Sequence, residues 1–243
     1  MAEPVRAQNV LNLITFLKET AFFAEVEESM LTYLVNDFRV RNYRKGDIIF
    51  HQGDESRSLF IVIEGKVRVY HLTAGGEETT VTILASRQLL GEFSLIDGQP
   101  RSATAQAITA SRLLEMAGTR VMHHLTHIPG LALAMCRQIV HKARWTTMYA
   151  ETIARFDAAG RLLHFLLLYN TEFGQALEPG KCYLLDLGLN QSDLATLVGA
   201  QRGWVNHILG EWRKRGLIEF EDGKITILDL NRVQQERDSR IIR

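Results

Sequence analysis

The chain is poor in cysteine: Cys136 and Cys182 are the only two in 243 residues. That is too few for a disulfide scaffold, a four-thiolate zinc site or a four-cysteine iron–sulfur cluster in one chain, and it fits a reducing, cytoplasmic setting. Net charge is lacking too. Lys plus Arg equals Asp plus Glu at 28 each, so no global field announces a nucleic-acid or membrane-surface binder, and an anionic partner has to be met by a local patch. No run approaches the roughly 18 uninterrupted apolar residues of a membrane span. The first twenty residues carry Glu3 and an apolar stretch broken by Asn12, without the basic start and small-residue cleavage site of a secretory signal. A G-x-S-x-G elbow, a P-loop and a glycine-rich dinucleotide motif are also missing, so catalysis has no named players and an enzyme is not expected. What is present is apolar material, 46% hydrophobic beside 23% charged, enough for one large domain or two modest ones.

From Arg39 to about Met116 turn signals recur at short intervals: Gly46-Asp47, Gly53-Asp54, Glu64-Gly65, Gly75-Gly76, Gly91 and Asp97-Gly98. Short β-prone runs lie between them, namely Asp47 to Phe50, Leu59 to Ile63, Lys66 to Tyr70 and Thr79 to Leu84. Closely spaced strands with tight turns predict an antiparallel barrel or roll. The preceding segment, Val10 to Phe38, reads as helices packed against it.

After Pro129-Gly130, neither Gly nor Pro occurs from Leu131 to about Phe156, which predicts one long helix. Ala132, Cys136, Ile139, Ala143, Thr146, Ala150 and Ile153 fall at alternating spacings of four and three, a heptad seam of small residues. The seam suits a homodimer contact; the alternative is a helix buried against its own domain. Trp145 and Tyr149, off the seam, are expected to contact the roll or to border a ligand there. His123 and His127 have the i, i+4 spacing of a metal pair, with an ordinary polar helix surface as the alternative, and no metal is expected.

Beyond Asp157, Arg161 to Tyr169 reads as an apolar helix and Thr171 to Lys181 as a polar loop. Asn190 with Asp193 has the form of a capping box and Leu189 with Leu194 that of a hydrophobic staple, so a helix should begin at Gln191. Gly199 ends it. A second helix, from about Gln201 to Lys214, buries Val205, Ile208, Leu209 and Trp212. Two short helices with a glycine turn predict a helix–turn–helix, and the strands flanking Asp222-Gly223 add a wing. Gln191, Ser192 and Gln201, together with Arg202, Gly203, Asn206, His207 and Lys214, then face a major groove. Arg213, Lys214 and Arg215 form the basic cluster that the neutral total conceals. Gly203 and Gly210 leave the reading face smooth, which shifts recognition toward DNA shape. The alternative is a helical hairpin used only for packing.

Within the roll, Gly91-Glu92 and Arg101-Ser102 combine close backbone approach, a buried carboxylate that accepts hydroxyl protons, and a charge-assisted anion site. A sugar phosphate satisfies all three. Here the chain resembles, over nearly its whole length, the bacterial transcription regulators typified by the cyclic-AMP receptor protein and the fumarate–nitrate regulator. The resemblance rests on Gly46-Asp47 and Gly53-Asp54, the Gly91 to Ala103 cassette, the long helix, and the winged helix from Leu189 to Leu228. It implies Gly91 and Glu92 at a ribose hydroxyl, Arg101 and Ser102 at a cyclic phosphate, and Thr146 and Thr147 beside the base. It also implies promoter DNA and RNA polymerase as partners, the latter at a surface corresponding to Thr171 to Lys181. Arg202 keeps the family's pattern, whereas Gly203 and His207 stand where the cyclic-AMP receptor protein has a glutamate and an arginine. The preferred DNA sequence is therefore not given by the resemblance.

The expectation is an α+β chain: a jelly-roll-like, cyclic-nucleotide-binding antiparallel β-roll with flanking helices over residues 1–130, a dimerisation helix over 131–156, and a winged helix–turn–helix over 157–243. Its function reads as a homodimeric, ligand-responsive DNA-binding regulator with cyclic AMP as first candidate effector. Ligand would bias the orientation of the DNA heads about a junction near Arg155 to Asp157. Two alternatives stand beside it: the same fold with no effector or another one, and a cyclic-nucleotide-binding regulatory subunit acting on a protein partner.

Overall fold

A computed structural model describes residues 7–55 and 57–242; Glu3 lies outside them. Residues up to Arg144 form one compact unit and those from Trp145 a second.

The first unit opens with α1 (Ala7–Lys18) and α2 (Glu28–Val35), followed by β1 (Phe38–Tyr43), β2 (Ile48–Phe50), β3 (Ser58–Glu64), β4 (Val67–Leu72), β5 (Glu78–Leu84) and β6 (Leu89–Leu90). Then come α3 (Phe93–Asp97), β7 (Thr104–Ala107), β8 (Ser111–Ala117), α4 (Gly118–His127) and the start of α5 (Pro129–Arg155). The strands pair antiparallel into two four-stranded sheets, β1-β8-β3-β6 and β2-β7-β4-β5, which is the expected roll. Strand β3 shows how it is filled. Successive side chains point to opposite faces, and here both faces are dry. Leu59 and Ile61 join a cluster with residues of α1, α2, α4 and α5, while Phe60 and Val62 join an inner cluster with Val67, Leu84 and Leu90. The turn into β4 needs Gly65: its φ is +89°, and a Cβ there would lie 2.3 Å from Ser111 Oγ and 2.5 Å from the Ala110 carbonyl oxygen.

The second unit contains the rest of α5, then α6 (Ala158–Phe173), β9 (Gln175–Glu178), β10 (Cys182–Asp186), α7 (Gln191–Val198), α8 (Arg202–Lys214), β11 (Ile218–Glu221), β12 (Lys224–Ile227) and α9 (Leu230–Asp238). The segment read as a polar loop, Thr171 to Lys181, holds the end of α6, strand β9 and the turn into β10. Its strand β9 pairs with β10 at the edge of the sheet β11-β12-β10-β9, and every β9 residue is exposed, so no buried face marks it in the sequence.

The long helix forms, and of the expected seam Cys136, Ala143, Thr146, Ala150 and Ile153 are exposed while Ala132 and Ile139 are partly buried. Leu131, Ala134 and Met135 are buried in the outer cluster of the first unit and Ile139 packs against it, which commits one face of α5 to its own chain. The face left outside carries Leu133 and Val140, each 52% exposed, with Cys136 and Ala143 also exposed and Thr147 and Ala150 continuing the same spacing. Ile139 is therefore shared between the outer cluster and the surface, and Leu133 and Val140 lie exposed beside the expected seam.

Candidate effector site and nucleic-acid interface

Arg101 and Glu92 are 4% and 2% exposed, deep for charged groups. Arg101 enters from the turn before β7. Its Nη1 donates to the Gly91 carbonyl at 2.6 Å and to Ser94 Oγ at 3.1 Å, its Nη2 donates to the Ser58 carbonyl at 2.6 Å, and the guanidinium lies 4.3 Å from the Phe50 ring centroid. Burial presses its pKa below the usual arginine range, against the opposing pull of Glu92 and Asp54. Gly91 is where it is because of this arginine: with φ +87°, a Cβ there would meet Nη1 at 2.5 Å. The close approach expected of a ligand at Gly91 is made by Arg101.

Glu92 precedes α3. Its Oε1 accepts from Lys142 Nζ at 2.6 Å, and the same ammonium donates to the Leu89 carbonyl at 2.8 Å. Lys142 was missed from sequence, where a lysine on a long helix reads as a solvated charge; its place four residues before Thr146 is the only hint. Two polar atoms at this site are buried without a hydrogen-bond partner, Glu92 Oε2 and Arg101 Nε. Such atoms are rare in folded proteins and point to a missing partner. Ser102 is exposed, and Thr146 and Thr147 are exposed on the part of α5 that belongs to the second unit. Tyr149 packs on Phe165 at a ring-centroid distance of 5.2 Å and donates to the Leu197 carbonyl at 3.2 Å, and Trp145 lies 6.3 Å from Tyr169, so both rings have contacts within the second unit.

The histidine run divides. His124 is buried, its Nε2 2.7 Å from Asp37 Oδ2, whereas the tilted rings of His123 and His127 meet at a centroid distance of 4.2 Å on the surface. Among the described residues no group of three or more His, Cys, Asp or Glu has the geometry to hold a metal ion.

In the second unit the capping box forms as read. Asn190 Oδ1 accepts from the backbone N–H groups of Ser192 and Asp193, and Asp193 Oδ2 accepts from that of Asn190 at 2.9 Å. Gly199 closes α7 in the left-handed region at φ 66°. Val205, Ile208, Leu209 and Trp212 are all buried, leaving Arg202, Gly203, Asn206, His207 and Lys214 exposed on one helix. Gln201 caps α8 by backbone position only, and Gln191 Nε2 donates to Asn206 Oδ1 at 3.1 Å, tying the start of α7 to the exposed face of α8. Ser192 is exposed beside it. Gly203 and Gly210 have nothing within 4 Å of where a Cβ would stand, so neither is required by packing. Asp222 and Gly223, both at positive φ, turn β11 into β12 and make the wing.

Comparison with known proteins agrees with both halves. A cyclic nucleotide-binding domain model matches residues 40–125 and a Crp-like helix-turn-helix domain model residues 160–236. The chain is 30% identical over 190 residues to the global nitrogen regulator of Nostoc sp., covering 77% of this chain and 84% of that one. It is 28% identical over 217 residues to the CRP-like cAMP-activated global transcriptional regulator of Mycobacterium tuberculosis, covering 89% and 96%. The solved structure of FixK2 from Bradyrhizobium japonicum shares the fold, with a TM-score of 0.72 at 18% identity over 81% of this chain and 95% of that one. Among the described residues no helix is long and apolar enough to cross a membrane. With both domains matched in order and a relative covered over most of its length, the chain belongs to the family typified by the cyclic-AMP receptor protein and the fumarate–nitrate regulator, and it is a DNA-binding transcription regulator.

Proposed function

We propose that the protein is a cytoplasmic homodimeric regulator whose DNA binding responds to a cyclic nucleotide, with cyclic AMP the first candidate. The observation that carries this reading is a pair of buried atoms in the roll, Glu92 Oε2 and Arg101 Nε, that have no hydrogen-bond partner. They belong to a carboxylate and a guanidinium that are 2% and 4% exposed, and together they suit an anion that also carries hydroxyl groups. A cyclic phosphodiester brings one negative charge for the guanidinium, and a ribose hydroxyl can donate to the unpartnered Glu92 Oε2. Gly91 and Ser102 flank these groups. Thr146 and Thr147 enter the proposal through the family pattern alone. The name of the Mycobacterium tuberculosis relative, a cAMP-activated regulator, favours the same effector.

The exposed stripe Leu133, Cys136, Val140 and Ala143 supports the homodimer, since small and aliphatic residues at this spacing suit a close helix pair. In a dimer, two α8 helices about one DNA turn apart, roughly 34 Å, read the half-sites of a pseudo-palindrome. Arg202, Asn206 and His207 meet base edges there, with Gln191, Ser192, Gln201, Gly203 and Lys214 along the backbone and groove wall. RNA polymerase is the proposed partner at the promoter, by family resemblance.

Calorimetry with cyclic AMP and cyclic GMP tests the effector. Saturable heat, with tighter binding of selected duplex DNA, is expected. Neither heat nor thermal shift at millimolar nucleotide overturns the nucleotide assignment. It leaves the second reading, an effector-free regulator set by its own abundance. That reading is favoured by the three protein acceptors already holding both Nη atoms of Arg101.

A further inference from the structure

Helix α9 is hard to account for by burial. Of its nine residues, Leu230–Asp238, only Val233 is buried, and a nine-residue helix is too short to stand on propensity. Besides its packing on α6, charged contacts hold it, and they converge on Glu236, whose side chain is 11% exposed. Toward the reading helix, Glu236 accepts a two-pronged pair from Arg215, the C-cap of α8, with Nη1 at 3.1 Å from Oε1 and Nη2 at 2.5 Å from Oε2. Arg232 Nη2 donates to the Arg215 carbonyl at 2.9 Å. Toward the other end, Glu236 Oε1 accepts from Arg240 Nη2 at 2.8 Å, and Arg240 Nη1 lies 3.5 Å from Asp157 Oδ2. Asp157 is the N-cap of α6, accepting from Gly160 N–H at 2.7 Å.

The chain after α9 completes the connection. The Asp157 N–H donates to the Arg240 carbonyl at 3.2 Å, the Ile242 N–H donates to the Arg155 carbonyl at 2.9 Å, and Phe156 and Ile241 form an antiparallel bridge. Gly160 makes room for this: a Cβ there would lie 2.7 Å from Arg240 Cβ and 3.0 Å from Phe156 Cβ. The segment Arg240 to Ile242 is therefore laid as a short strand along the junction between the last turn of α5 and the first of α6.

We propose that α9 and Arg240–Ile242 act as a strap coupling the α5–α6 junction to the C-terminal end of the reading helix, with Glu236 and Arg240 as positioning residues for DNA recognition. Within the second unit, the strap joins the last turn of α5 to the helix proposed to enter the groove. A displacement at Phe156 or Asp157 has to break or drag Arg240, and through Glu236 it reaches Arg215. Glu236 is well suited to this: its pairing with Arg215, and then Arg240, holds its carboxyl at a pKa of about 2, so it stays charged throughout the physiological range. The functional consequence rests on α8 being the reading helix; the coupling itself does not.

The test is amide hydrogen exchange on the full-length protein, which needs neither DNA nor nucleotide and so stands apart from the effector assignment. Arg240→Ala is expected to speed exchange about five-fold or more at residues 213–217 as well as at 156–161, and Arg215→Ala to do the same in reverse, as linkage requires. The double variant should be no faster than the faster single one, and Arg240→Lys should recover part of the protection. Glu236→Gln, nearly isosteric, gives the same pattern should either alanine variant lose its fold. Each variant speeding only its own end, or the double variant showing the product of the two effects, overturns the strap.

Discussion

Lys142, on the face of α5 that packs on the roll, donates to both the Glu92 carboxylate and the Leu89 carbonyl. One ammonium thus fixes the long helix to the strand β6 and to the buried Glu92 carboxylate beside Arg101. Lys142→Met leaves Glu92 nearly fully buried without its cation. Breaking such a pair costs about 3–5 kcal/mol when both members are buried; with Lys142 itself 26% exposed, about 2 kcal/mol is expected. Thermal unfolding measures the loss, and Lys142→Arg, which keeps the charge, should restore most of it.

The proposed dimer has its own test in Val140. In that dimer, a glutamate on the exposed stripe would put two like charges face to face, where desolvation adds to repulsion. Val140→Glu should sediment as a monomer while its roll retains its fold, because Val140 points away from the outer cluster. Ile139→Glu is the control: it should destabilise the roll.

Two exposed cations of the reading helix should separate by kind of loss. Arg202→Ala is expected to weaken selected duplex by about 1–3 kcal/mol and relax preference at one base position, as for a base-edge contact. Lys214→Ala, in the last turn of α8, should weaken all sequences alike and lower the salt dependence by about one ion. Fluorescence anisotropy across a salt series distinguishes them. Unchanged binding in the Arg202 variant would favour a helical hairpin used only for packing.

His164 makes the second unit acid-sensitive. Its ring stacks on Phe156 at 5.4 Å, and both ring nitrogens are buried without partners. Burial is the main cause of its lowered pKa, with Arg237 and Arg155 adding to it and Glu151 and Asp238 opposing. The folded state therefore holds the proton less tightly than the unfolded chain, whose histidine titrates near 6.5. Stability is full above that pH and falls as pH drops below it. Melting temperature should decline between pH 7.5 and 5.5, and His164→Phe should flatten that slope. The Glu236 contribution has the opposite protonation chemistry but the same direction, lost only between about 4.5 and 2.

What the sequence discloses and what it hides follow one physical divide. The Asn190–Asp193 box, the Val205 to Trp212 stripe and the Asp222-Gly223 turn depend on neighbours within a few residues, and all are found where local spacing puts them. Lys142 and Ile139 depend on which face of a long helix meets the roll, a choice that heptad spacing alone leaves open. The partners of Arg101 are hidden for a different reason: two are backbone carbonyls, one of them 43 positions away in the chain at Ser58, and any residue type carries a carbonyl. Strand β9 offers no alternation to read because all of it is exposed.

All three tryptophans of the chain, Trp145, Trp204 and Trp212, fall in the second unit. The roll has no indole of its own, so selectively excited tryptophan emission reports only from the second unit. Trp212 reports from the dry interior under α8, Trp204 from the half-exposed flank of that helix, and Trp145 from α5. Because Trp145 precedes Thr146, a residue proposed to lie beside the base, a spectral change on adding a nucleotide would report from the helix–turn–helix only where it persists in Trp145→Phe.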